Sequence, residues 1–175
     1  MDEMLRKILG QQVQLPDLQK SNVSKLFVLN KANLSRIQPG MYWYDDNTVS
    51  QVLKSEKKLK SIVLFVRDNV IYGDSFMQRY MLGFKTVDFF KQVLAQQPEV
   101  YYPQETDLQS VYGSLDKINA SCKKVQKLKW SKEIYLAEPV SEQKLCWVDM
   151  FDGGQGQMSN QSGAYFRPLI TYKVK

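Results

Sequence analysis

The chain of 175 residues contains no histidine. That absence excludes Ser-His-Asp and Cys-His catalysis, His-ligated zinc and the commonest general base at neutral pH. Only two cysteines occur, Cys122 and Cys146, with no C-x-x-C to indicate zinc or redox work. They can pair in an oxidising compartment, one late in a helix and the other at a strand start, or stay as two buried free thiols. No apolar run reaches transmembrane length, which argues against membrane insertion, and residues 1–10 lack the uninterrupted apolar core of a secretion signal. Neither Gly-x-x-x-x-Gly-Lys-Ser/Thr nor Gly-x-Gly-x-x-Gly is present, and there are no repeats or low-complexity tracts. The sequence therefore names no reaction: no catalytic residue, metal ligand or cofactor is expected.

What is present is enough for one good core: 43% hydrophobic and 12% aromatic residues. A net charge of +6 favours acidic partners without naming one. Lysines cluster at Lys54, Lys57, Lys58 and Lys60 and again at Lys123, Lys124, Lys127, Lys129 and Lys132. The second set is the candidate polyanion contact, weighed against a plain solvated helix end. Carboxylate pairs, Asp45 with Asp46 and Glu105 with Asp107, stand at a turn and a helix start, where capping explains them. Interleaved lysines and aromatics also suit single-stranded nucleic acid, but no RNP-like or OB-like pattern supports it.

Two regions differ in character. Residues 1–38 carry Leu5, Ile8 and Leu9 at helical spacing, stopped by Pro16, and then the short apolar run Leu26, Phe27, Val28, Leu29; they are expected to form an N-terminal helical extension, connector or oligomer contact. Pro39-Gly40 is a turn that opens the domain expected over residues 39–175. Strands follow at 41–44, 48–50, 60–66 and 70–74, with Asp45-Asp46-Asn47 and Asp68-Asn69 as turns. Thr86 is the expected cap of a helix in which Val87, Phe90, Val93 and Leu94 share a face. A second helix follows Pro103, with Leu108, Val111, Tyr112, Leu115, Ile118, Cys122 and Val125 as its buried stripe and Thr106 taking the cap from a poorly suited Gln104.

The last stretch organises the chain. In Cys146 to Phe151, Trp147, Asp149 and Phe151 fall on one side and Val148 and Met150 on the other, then Asp152-Gly153-Gly154 reverses the chain. A polar loop at 159–163 leads into Tyr165, Phe166, Arg167, Pro168, Leu169 and Ile170, with Pro168 marking a bulge or an edge. The expected class is α+β: antiparallel sheets, two flanking helices and a closing C-terminal hairpin in a sheet spanning 134–174.

Tryptophan, aspartate-glycine turn, polar loop and Phe166-Arg167-Pro168-Leu169, in that order, resemble the C-terminal domain of the Legionella collagen-like adhesin, a widespread bacterial domain of unknown function. The resemblance covers residues 39–175. It implies a C-type lectin-like fold and a non-enzymatic recognition or adhesion module on a cell surface or in the extracellular space, with a glycan or protein ligand; the alternative is an assembly protein of a surface or phage-like appendage that uses residues 1–38 as a homo-oligomer contact. Adhesins of that family bind sulfated polysaccharide, a role the second lysine cluster could take. The tryptophan and serines of the family's Tyr-Trp-Ser-Ser segment are missing near Tyr135, unless Trp130-Ser131 is its counterpart, and Glu138-Pro139-Val140 and Trp147-Val148-Asp149 carry valine where calcium-dependent lectins of that fold carry asparagine, which argues against calcium. The ligand-binding residues expected on this basis are Tyr135, Glu138, Trp147, Asp149, Gln155, Gln157, Asn160, Tyr165 and Arg167.

Overall fold

A computed structural model of the chain describes residues 25–141 and 143–175. The expected helix at Leu5, Ile8 and Leu9 lies outside the described residues. Among the described residues twelve strands are present: β1 Phe27–Val28, β2 Tyr42–Tyr44, β3 Thr48–Ser50, β4 Leu59–Arg67, β5 Val70–Asp74, β6 Arg79–Leu82, β7 Val100–Tyr101, β8 Ile134–Ser141, β9 Lys144–Asp149, β10 Gln155–Ser159, β11 Gly163–Phe166 and β12 Leu169–Lys173. The described residues also include three α-helices, α1 Gly83–Gln96, α2 Glu105–Gly113 and α3 Leu115–Lys124, with β7 between α1 and α2. The fold is α+β.

Turn chemistry sets the first hairpins. Gly40 at φ +89 follows Pro39, and Met41 N–H donates to Gln38 O, as a type II turn requires. Asp68 and Asn69 both take positive φ, +51 and +62, which is the type I′ geometry whose twist matches the β4–β5 pair. The strands form two sheets, one of seven in the order β1-β3-β2-β4-β5-β12-β7 and one of five in the order β10-β9-β8-β11-β6.

The seven-stranded sheet is apolar on both faces, which explains the unbroken apolar run Ile62–Val66 of β4. Tyr42, Tyr44, Ile62 and Leu64 join Leu108, Val111, Ile118 and Cys122 of α2 and α3, together with Tyr135 and Val148 of the five-stranded sheet, in the main core. On the opposite face Trp43, Val63, Ile71 and Ile170 pack with Phe27, Leu29 and Ile37. Residues 27–37, grouped by sequence with the extension, thus contribute a strand and three buried side chains to this sheet, because β1 pairs with β3.

Several expectations are corrected. The first helix starts at Gly83, and Thr86 is not its cap: the buried Thr86 hydroxyl turns back onto Leu82 O, 3.4 Å away, inside the first turn. Its inward residues are Thr86, Phe89, Phe90 and Val93, while Val87 and Leu94 stay exposed. Gln104, not Thr106, caps the next helix, and Asp107 supplies the return bond by accepting Gln104 N–H at 2.8 Å. The single expected helix is two, broken at Ser114, with the apolar spacing kept across the break.

The closing sheet also differs. The β9–β10 hairpin turns through Gly153 at φ +77 as expected, but the terminal run expected as one strand interrupted at Pro168 is two strands, β11 and β12. β11 pairs parallel with β8 and antiparallel with β6, and the chain then crosses at Arg167-Pro168 so that β12 pairs with β5 in the other sheet. Pro168 marks a change of sheet, not a bulge, and β12 joins the seven-stranded sheet that contains β2.

Candidate functional site

The most tightly bonded polar cluster is interior. Asp74 ends β5 and Arg167 lies in the β11–β12 crossing, and both side chains are fully buried. Arg167 donates from Nε to Asp74 Oδ1 at 3.1 Å and from Nη2 to Asp74 Oδ2 at 2.6 Å, a two-pronged contact. Its remaining donors go to Leu128 O at 2.6 Å and Gln78 Oε1 at 3.2 Å, and its guanidinium lies 4.5 Å from the Trp130 ring centroid. Trp130 Nε1 donates to Asp74 Oδ2 at 2.9 Å, so each buried charge is met by charge or hydrogen bonds on several sides. Arg167, expected to touch ligand, is instead the pin that holds the two sheets and the 125–131 loop together.

Tyr135 is corrected in the same way. It is fully buried; its hydroxyl accepts Ser131 N–H at 2.9 Å and donates to Gln78 Oε1 at 2.7 Å, which ties β8 to the Arg167 cluster. Burial raises its phenol above the ordinary range. The remaining expected ligand residues do not form one surface. Trp147 is half-buried, with its ring laid across its cross-strand partner Gly156; a Cβ there would come within 2.8 Å of Trp147 Cζ2. Gln155 and Gln157 pair with Val148 and Cys146 and so lie on the sheet face opposite Trp147. Gln109 of α2 reaches the first of them, donating from Nε2 to Gln155 Oε1 at 3.0 Å and to Gly153 O at 2.9 Å. Asn160 sits half-buried in the turn before β11, its N–H on Gln143 O. Glu138 is exposed and lines a separate cleft with Gln104, Glu105 and Pro139.

Two of the expected ligand residues, Asp149 and Tyr165, do converge, together with Lys132 from the polyanion set. They line a cleft of about 420 Å³ with Tyr80, Glu133 and Phe151. A neighbouring cleft of about 470 Å³, lined by Tyr112, Asp116, Lys117 and Met150 among others, shares Lys132 and Phe151 with it. Phe151 therefore stands as a ridge between two hollows, 70% exposed, and Tyr80 opposite is 61% exposed.

Local sequence explains the arrangement. Asp149 Oδ1 accepts Phe151 N–H at 2.9 Å, an Asx turn that ends β9 and lifts Phe151 out of the sheet. Tyr80 and Tyr165 are cross-strand partners on β6 and β11, with rings edge to face at 5.6 Å. The Tyr165 phenol is held above its usual range by its hydrogen bond to the Glu133 carboxylate. Tyr80, Glu133 and Phe151 were not among the expected ligand residues. Phe151 had a signal, its outward parity with Trp147 and Asp149; the strand that carries Tyr80 had none.

All five lysines of the second cluster are exposed, and none makes an ion pair among the described residues. In the first cluster Lys57 pairs with Asp46 and Lys58 with Asp45. Both cysteines are free and buried. Burial, with Asp74 nearby, pushes the Cys122 thiol up to about 12, and burial with a Glu105 hydrogen bond raises Cys146, so neither is a ready nucleophile. Among the described residues no group of His, Cys, Asp or Glu is placed to hold a metal, and no helix is long and apolar enough to cross a membrane. The chain matches no protein-family model and no curated protein sequence.

Proposed function

We propose that the chain is a non-enzymatic recognition module of C-type lectin-like type, akin to the C-terminal domain of the Legionella collagen-like adhesin, and that it binds a glycan on a bacterial surface or appendage. The observation that carries this reading is the cleft in which exposed Phe151 and Tyr80 face Asp149, Glu133 and Tyr165. A sugar ring offers an apolar C–H face and a rim of hydroxyls. Aromatic rings take the first, and carboxylates accept hydrogen bonds from the second. A glycan array probed with the native chain, Phe151→Ala and Tyr80→Ala is the test. Selective binding by the native chain that both variants lose is expected; an unchanged profile in both variants would defeat the reading.

A further inference from the structure

A fourth cleft, of about 380 Å³, opens beside the Arg167 cluster at the start of β4, and its lining includes Lys60, Lys127, Phe76 and Glu99. We propose that it is an oxyanion site, holding one sulfate or phosphate group of a small molecule or sugar ester between Lys60 and Lys127. The two lysines are distant in sequence and belong to different clusters, yet the fold brings them to one hollow. Each is placed over a ring: Lys60 Nζ lies 5.1 Å from the Trp43 centroid and Lys127 Nζ 5.3 Å from the Phe76 centroid. Ring contact of this kind holds the ammonium group without neutralising it, and neither lysine makes an ion pair among the described residues.

Phe76 is the second, independent feature. It has φ +63, a left-handed conformation that is unfavourable for a bulky residue and is kept only where its surroundings over-determine it. Here Asp74 Oδ1 accepts Phe76 N–H at 2.8 Å, while the Ser75 hydroxyl bonds Pro168 O. The buried Asp74–Arg167 pair thus fixes the backbone that presents the Phe76 ring to Lys127. Asp74 lines the cleft, but its carboxylate is already engaged by Arg167 and Trp130. The charges left in the lining are half-buried Lys60 and exposed Lys127 and Glu99, a net of one positive charge, which suits a single anionic group.

Lysine without arginine suits a tetrahedral oxyanion better than a planar carboxylate, since its three rotatable donors do not match the carboxylate fork. A nucleic acid is disfavoured, because Trp43 is fully buried and the Phe76 face is covered by Lys127, leaving no ring in the cleft on which a base could stack. The site is separate from the Phe151 cleft and does not rest on that reading.

The test is to titrate the full chain with sodium sulfate, sodium phosphate, glucose 6-sulfate and glucose 6-phosphate at matched ionic strength, following the lysine Cε–Hε resonances by NMR. Saturable shifts at Lys60 and Lys127, with weak linear shifts at Lys129 and Lys132, are expected. Lys60→Met or Lys127→Met should each weaken binding about tenfold, Glu99→Gln should tighten it, and Phe151→Ala should leave it unchanged. Tighter binding of the esters than of the free ions names a sugar ester as the source, the reverse a free ion, and either supports the site. Equal linear shifts at all lysines, or saturable binding that survives Lys60→Met/Lys127→Met, would overturn it. Circular dichroism checks that the variants fold, and the Glu99→Gln effect stands without altering either lysine.

Discussion

Arg167 and Lys132 each sit in a group of aromatic rings and carboxylates, yet Arg167 is shut away from water and Lys132 faces it. Around Arg167 the donors and acceptors are matched within the protein: both oxygens of Asp74, Gln78, Leu128 O and Trp130 all have partners. Around Lys132, Phe151 and Tyr80 are exposed over more than half of their surface and stand beside acidic groups at the rim of a hollow. The same residue types make a structural pin in one place and a candidate contact surface in the other; burial decides which.

The largest effect that would test this contrast is on stability. Arg167→Met leaves the Asp74 carboxylate buried without its cation, so unfolding by urea should show a loss of about 3–5 kcal/mol. The double variant Asp74→Asn/Arg167→Met should lose less than the two single variants together, since no buried charge remains unpaired. A loss for Arg167→Met within the range of ordinary surface substitutions would mean that the interior cluster is not what joins the sheets.

Tyr135→Phe should come next. It removes the acceptor of Ser131 N–H and the donor to Gln78 in a fully buried setting, for a loss of about 1–3 kcal/mol by the same unfolding measurement. Glycan binding should persist in this variant, because Tyr135 is inside the core and not on the cleft.

A pH experiment sharpens the comparison further. The Cys122 thiol is raised in the folded chain from an ordinary value of 9.0 to about 12, by burial and then by Asp74. A folded-state value above the unfolded one means that the folded chain keeps its proton longer. The contribution is therefore complete below about pH 9 and is lost as the pH rises toward 12. Unfolding free energy measured from pH 8 to 12 should fall across that window, and Cys122→Ala should flatten the slope even though the cavity it opens lowers the baseline. An unaltered slope in that variant would place the titration on the raised tyrosines instead.

Much of the scaffold was legible because it rests on local rules. Asp68-Asn69 and Pro39-Gly40 carry their own backbone preferences, and the parity of Val148 and Met150 against Trp147 and Phe151 follows from the pleat. What escaped depends on contacts distant in the chain. Arg167 meets Asp74 across 93 positions, and no periodicity marks Asp74 as anything but the end of a strand. The exposed edge strand Arg79–Leu82 has too few inward residues to show alternation, which hid Tyr80. Pro168 signals a break in the ladder, but a bulge, an edge and a crossing between sheets all break it alike.

The smallest expected change in stability is the most informative about function. Phe151→Ala removes a ring that is 70% exposed, so the unfolding free energy should move by no more than about 0.5 kcal/mol. Asp149 is a poorer probe, since its Oδ1 holds the Phe151 N–H and its loss would disturb the turn as well as the cleft. If the ridge contacts a sugar face, the same Phe151→Ala chain should lose glycan binding by tenfold or more, of order 1.4 kcal/mol, a change several times the stability effect. Stability and binding would then respond to opposite residues, Arg167 for the first and Phe151 for the second. A Phe151→Ala variant that unfolds early and binds normally would reverse that assignment and make Phe151 part of the scaffold.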